Sequence, residues 1–184
     1  MYLCEVCTSD CMSERFYIYL SLPDYLQQWY VNECKEMDEN AIEQRDTKYG
    51  VVCVMPPKGS QENRILQCFL QKRPAVAADT DNPNIAIAIP HFAGKDPFYY
   101  IYLGANGRDM FKNAIRTRFS LQLWECLHDF SNVFGRQDKT IDAFMESHGI
   151  ACTETNWNAI AKIYQRLRQQ YYKKESRKKV KKKV

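Results

Sequence analysis

The sequence predicts an α+β protein: a small sheet of about four strands covered by two helices, then a C-terminal helical segment with a helix-turn-helix-like pair. Three observations predict it. Phe16–Leu22 and Ile85–Ile89 alternate large apolar residues with tyrosine, serine or alanine, the period of a strand. From Phe111 to Phe130 the apolar residues instead recur every three or four positions, the period of a helix. A hydrophobic content of 45% over 184 residues is enough apolar material for one core.

Along the chain, residues 1–15 are polar and periodless and predict a flexible, cysteine-containing N-terminus. Phe16, Ile18, Leu20 and Leu22 share one face of the first strand, with Tyr17 and Tyr19 on the other. Pro23-Asp24 opens a helix, because proline costs nothing at a helix start and an acid suits its positive end. Leu26, Trp29, Tyr30 and Glu33 follow at helical spacing, and the charged stretch 35–48 reads as a surface loop. Val51–Met55 reads as a short buried strand stopped by Pro56-Pro57. Ser60 caps a second helix with the stripe Ile65, Leu66, Phe69 and Leu70, which Pro74 should end. Pro90 closes the strand Ile85–Ile89. Gly94-Lys-Asp-Pro97 leads to a last strand, Phe98–Leu103. These elements make residues 16–103 an α+β domain.

Residues 104–172 form a helical region. Gly104-Ala-Asn-Gly107 turns the chain, Asn106 is a candidate cap, and Phe111, Ile115, Phe119, Leu123, Trp124, Leu127 and Phe130 line one long helix. A shorter helix holds Ile141, Phe144 and Met145 and ends at His148-Gly149. Thr153 or Thr155 then caps a helix carrying Trp157, Ile160, Ala161, Tyr164, Leu167 and Tyr171. Residues 173–184 are a lysine run that repels itself and predicts a disordered basic tail.

Charge is distributed unevenly. Of the 26 Lys and Arg residues, eleven lie between Lys162 and Val184, where Glu175 is the one acid among 22; the preceding residues carry 15 bases against 21 acids. An acidic body with a basic end predicts a polyanionic partner. Lys162, Arg166, Gln169 and Lys173 cluster opposite the apolar stripe of the last helix, and Arg168 falls near that stripe. Such a helix can lie along a phosphate backbone, although a solvated, solubilising tail would read the same way.

Other constellations are weaker. Cys4, Cys7 and Cys11 lack a fourth zinc ligand other than Cys34, so neither metal nor cofactor is expected. The other five cysteines read as small buried hydrophobes. The Gly104–Arg108 turn sits where a phosphate can bind but lacks the lysine of a P-loop; the glycines are explained by the turn itself. His91, His128 and His148 stand alone, the acids read as solvated, and no nucleophile motif is present, so no enzyme is expected. Tyr17 and Tyr19, and likewise Phe98, Tyr100 and Tyr102, would stack bases if their faces were open, and are core if covered. No apolar run spans a membrane and no signal peptide is legible, so the expected location is cytoplasmic.

The string Ile115-Arg-Thr-Arg-Phe119 with Leu123-Trp124, then Phe144–Ile150 and Asn156–Arg166, resembles a group of bacterial proteins encoded by prophages and mobile elements, over most of residues 16–172. The group has no established activity, so the resemblance implies a DNA-associated setting and no site residues. Together these readings predict a DNA-binding accessory or regulatory protein whose N-terminal part senses or forms a homodimer. Lys162, Arg166, Arg168, Lys173 and Lys174 would meet the phosphates of double-stranded DNA, with Asn156 and Asn158 at base edges. The alternative is a non-catalytic adaptor whose basic tail docks on an acidic partner.

Overall fold

The computed structural model describes residues 16–43, 48–75, 82–134 and 137–181. Strand β1 (Tyr17–Leu20) leads into helix α1 (Asp24–Met37). A 3-10 turn at Glu39–Ala41 precedes β2 (Ile42–Glu43) and β3 (Val52–Val54). Helix α2 (Gln61–Phe69), β4 (Leu70–Gln71), β5 (Ile85–Ala88) and β6 (Tyr102–Leu103) follow. The chain then becomes helical through α3 (Ala105–Phe134), α4 (Gln137–Ser147) and α5 (Glu154–Lys181). The fold is α+β, as the two periods predict.

The main sheet has four strands in the order β1-β5-β3-β2. β1 pairs antiparallel with β5 in the register Tyr17 to Ala88, and β5 runs parallel to β3. The alternation of β1 decides its two faces. Ile18 and Leu20, with Val54, Ile85 and Ile87, join a core built with the helices, to which Trp29, Tyr30, Phe111, Phe119, Leu123, Phe144, Met145 and Ile160 contribute. Tyr17 and Tyr19 lie on the other face beside Cys53, Ala86 and Ala88. One hydrophobic core therefore runs through both segments that the sequence divides at residue 104.

Several expectations are corrected. The stretch 35–48 is not simply a loop: α1 runs to Met37, Asp38 turns the chain by accepting from the Asn40 amide at 3.0 Å, and Ala41 is buried. Helix α2 starts where expected, with Ser60 Oγ accepting from the Asn63 amide at 3.1 Å. It stops at Phe69, well before Pro74, because Leu70 turns extended and pairs with Leu103. The Lys95 ammonium secures this end by donating to the carbonyls of Gln67 (2.5 Å) and Leu70 (2.9 Å), satisfying acceptors that the helix leaves open.

The expected strand at 98–103 is mostly a turn. Asp96 takes the Phe98 amide on its side chain at 2.9 Å, and its carbonyl accepts from Tyr99 and Tyr100, so those amides are spent locally. Only Tyr102 and Leu103 remain extended, and they form a separate two-stranded ribbon with β4. Phe98, Tyr100 and Tyr102 therefore do not present the common strand face that base stacking requires.

The acids are not all solvated either. Glu62 is 1% exposed and lies 3.3 Å from Arg118 Nη1, while Glu33, 7% exposed, accepts from Gln122 Nε2 at 2.9 Å. The same Gln122 accepts from Trp29 Nε1 at 2.8 Å, so one amide ties α1 to α3 twice. Arg118 also lies over the rings of Trp29 and Tyr30, an arrangement in which aromatic faces favour the half-buried cation. Cys34 and Cys53 are buried as expected, but Cys68 and Cys152 are exposed. Cys4, Cys7 and Cys11 lie outside the described residues.

The glycine turn before α3 is a packing device. A Cβ on Gly107 would stand 2.6 Å from Leu103 Cδ1 and 2.9 Å from Phe69 Cβ, so the helix start approaches α2 and β6 more closely than a side chain permits. Asn106 lies inside the first turn of α3 and is not its cap.

Candidate functional site

Helices α4 and α5 are joined by residues 148–153, a longer link than the three or four residues of a helix-turn-helix. Gly149 has φ +64°, a left-handed conformation that glycine adopts without strain, and terminates α4. The Ile150 amide donates to Met145 O at 2.8 Å and the Gly149 amide to Glu146 O at 3.3 Å, the paired bonds of a Schellman end. His148 Nδ1 lies 2.9 Å from Phe144 O and the imidazole stacks on the Phe144 ring, which accounts for this histidine structurally. Of the two candidate caps Thr153 is the one used: its Oγ1 accepts from the Asn156 amide at 3.2 Å. Gln28 on α1 fixes the link by accepting from the Ala151 amide at 2.8 Å.

Asn156 belongs to this link and not to a surface. Its side chain is buried and donates to Ala151 O at 3.0 Å, which removes it from the base-reading set. Asn158 is exposed. Trp157, Ile160, Ala161 and Tyr164 turn α5 onto the core, as the apolar stripe predicts.

The expected disordered tail is helical through Lys181 in its described part. Lysine and arginine favour a helix intrinsically and suit its negative C-terminal end, and Ser176 Oγ donates back to Tyr172 O at 2.9 Å. This continuation adds a residue that the sequence reading omits. At 100° per residue, Lys162, Arg166, Lys173 and Arg177 fall within about 60° of arc, and along the axis they cover about 22 Å. All four are exposed, and the nearest acid in the sequence, Glu175, points to another side of the helix by the same angles. Arg168 stands apart from the strip. Its guanidinium lies 5.7 Å from the centre of the Tyr172 ring, and hydrogen bonding to Tyr172 pushes its already high pKa further up.

Beside this strip, α3 and α5 enclose a groove of about 490 Å³. Helix α3 contributes Arg116, Thr117, Ser120, Leu121 and Trp124, and α5 contributes Leu167, Gln170, Tyr171 and Lys174. A cavity of about 340 Å³ adjoins it, sharing Arg116, Ser120, Leu167 and Gln170 and adding Arg166 and Tyr25. Burial raises the pKa of the Tyr25 hydroxyl, and the nearby Arg116 charge pulls it partly back. Leu121, 58% exposed, forms an apolar wall, while Trp124 is held from behind by the stacked His128 ring at 4.5 Å. Among the described residues no carboxylate lines either cavity.

Lys174, expected on the phosphate-facing side, thus lines the groove with Arg116. Arg166 belongs to the strip and to the cavity that adjoins the groove. Arg116 escapes sequence reasoning because it lies on another helix, about fifty residues from its α5 neighbours; its place on the exposed side of α3 is legible, its apposition to α5 is not. Among the described residues no three His, Cys, Asp or Glu converge to hold a metal, and no helix is long and apolar enough to cross a membrane. Neither a family model, a curated protein nor a solved structure matches this chain.

Proposed function

We propose that this is a non-catalytic DNA-binding accessory or regulatory protein of prophage or mobile-element type, holding the phosphate backbone along α5. The observation that carries the reading is the cationic strip. Lys162, Arg166, Lys173 and Arg177 are exposed on one side of a helix whose first half, Trp157 to Tyr164, is anchored in the core by its opposite side. A strip fixed in this way presents charge at set spacing, whereas a loose lysine run presents it at random. Its length of about 22 Å spans several phosphates of one strand, which follow every ~3.4 Å along the duplex axis. Helix α5 is the contact element in this reading, and the long link between α4 and α5 speaks against entry into the groove as a helix-turn-helix.

The test is the salt dependence of DNA binding. Each phosphate neutralised contributes about −0.9 to the slope of log K against log salt. Replacing Lys162 and Arg166 together by Gln should therefore reduce the slope by up to about two. Gln preserves helix propensity and both positions are exposed, so the melting temperature should stay at the parent value. A double variant that binds DNA with the parental affinity and slope would overturn the reading.

A further inference from the structure

We propose that the α3/α5 groove is a site for an unpaired nucleobase, so that the protein prefers single-stranded or locally opened DNA to closed duplex. This inference rests on the DNA-binding reading and departs from the duplex partner that charge alone suggests.

Three features of the groove carry it. The first is continuity: Arg166 belongs to the phosphate-facing strip and also lines the cavity that adjoins the groove, so a strand followed along α5 runs beside the groove, along the edge of the adjoining cavity. The second is the division of chemistry inside. Arg116 and Lys174 supply positive charge on opposite helices, while Leu121, Leu167 and Tyr171 supply apolar walls. That arrangement suits a ligand with an anionic linkage and a flat, weakly polar body. The third is the neutral polar lining of Thr117, Ser120 and Gln170. Hydroxyl and amide groups donate and accept, as base edges require, whereas the carboxylates of an acidic peptide need donors only.

Size decides between the paired and unpaired forms. A volume of about 490 Å³ falls in the range of small-molecule pockets and admits a base with its sugar. A paired base is held within a stack that cannot follow it between two helices. The base must therefore leave its partner to enter, and a strand with no partner enters without that cost. Base contact with aromatic and apolar side chains is sequence-tolerant, so the site reads strandedness and not sequence.

The experiment measures fluorescence anisotropy of the full chain with a labelled oligothymidylate and with a blunt duplex of equal length. The single strand should bind at least about fivefold more tightly, the low end of one base contact. Leu121→Gln should remove most of that margin and leave duplex affinity unchanged; Leu121 is exposed, so its replacement spares the core. A second readout does not depend on any variant: bromodeoxyuridine placed in the oligonucleotide should photocrosslink to Tyr171 or Trp124. Equal affinity for both DNA forms, or crosslinks confined to other elements, would overturn the groove assignment while the strip reading stands. Binding of polyglutamate with no binding of either DNA would overturn both and favour an acidic protein partner.

Discussion

Gly107→Ala sets two local effects against each other, and the structure decides the sign. Gly107 lies in the first turn of α3, where alanine is intrinsically the better helix former by at most about 1 kcal/mol. Propensity alone therefore predicts a more stable protein. The added Cβ, however, would stand 2.6 Å from Leu103 Cδ1, 2.9 Å from Phe69 Cβ and 3.0 Å from Leu103 Cγ. Leu103 is 1% exposed and cannot swing into solvent, and Phe69 Cβ is fixed to the backbone at the end of α2. Overpacking of this kind costs about 1–3 kcal/mol, which outweighs the helix gain. A net loss of about 1–2 kcal/mol should lower the melting temperature by roughly 2–8 °C in a chain of this size. Gly104→Ser provides the contrast, because its nearest obstacle is the Nε2 tip of the exposed Gln71 at 2.8 Å. That tip can move aside, and serine is a good residue immediately before a helix, so stability should stay within about 0.5 kcal/mol of the parent. Thermal and urea denaturation followed by circular dichroism measure both. A Gly107→Ala protein that melts at or above the parental temperature would refute the close-packing argument.

Two other perturbations separate structural from functional roles. Asn156→Ala should cost about 1–2 kcal/mol by deleting the bond to Ala151 O, with the salt slope of DNA binding unchanged; weaker binding at an unchanged melting temperature would restore Asn156 as a DNA contact. Stability should also fall at alkaline pH. Burial pushes the Cys34 thiol from 9.0 up to about 11 and raises the Tyr30 hydroxyl well above its ordinary value. Between those thiol values the unfolded chain releases a proton that the folded chain retains, so the stabilisation is complete below pH 9 and is lost as pH rises through about 11. Urea titrations across this window should show a steady decline that Cys34→Ala makes shallower, and identical alkaline profiles for variant and parent would contradict the assignment to Cys34.

Much of this molecule is written locally. The alternation of Phe16–Leu22, the Ser60 cap, the Gly149 stop and the stripe of α5 each depend on side chains within a few positions, and each appears in the structure. The errors have a common form. Leu70, Phe98 and Tyr100 have apolar side chains suited to the elements expected of them, yet Lys95 and Asp96, from elsewhere in the chain or from a competing local bond, claim the backbone groups. Asn156 failed as a surface residue for the same reason: its partner, Ala151, belongs to a link whose path is set by Gln28 on α1.

By itself the sequence determined the α+β class, the core-facing side of each long helix and the concentration of positive charge at the C-terminal end. Those properties follow from periodicity and composition, which need no knowledge of what lies opposite. Tertiary structure alone decided that β5 sits between β1 and β3, that Glu62 meets Arg118, and that Arg116 faces Lys174 across a groove. Each of these joins positions dozens of residues apart. Their meeting is the outcome of burying one shared core, so no local pattern along the chain records it.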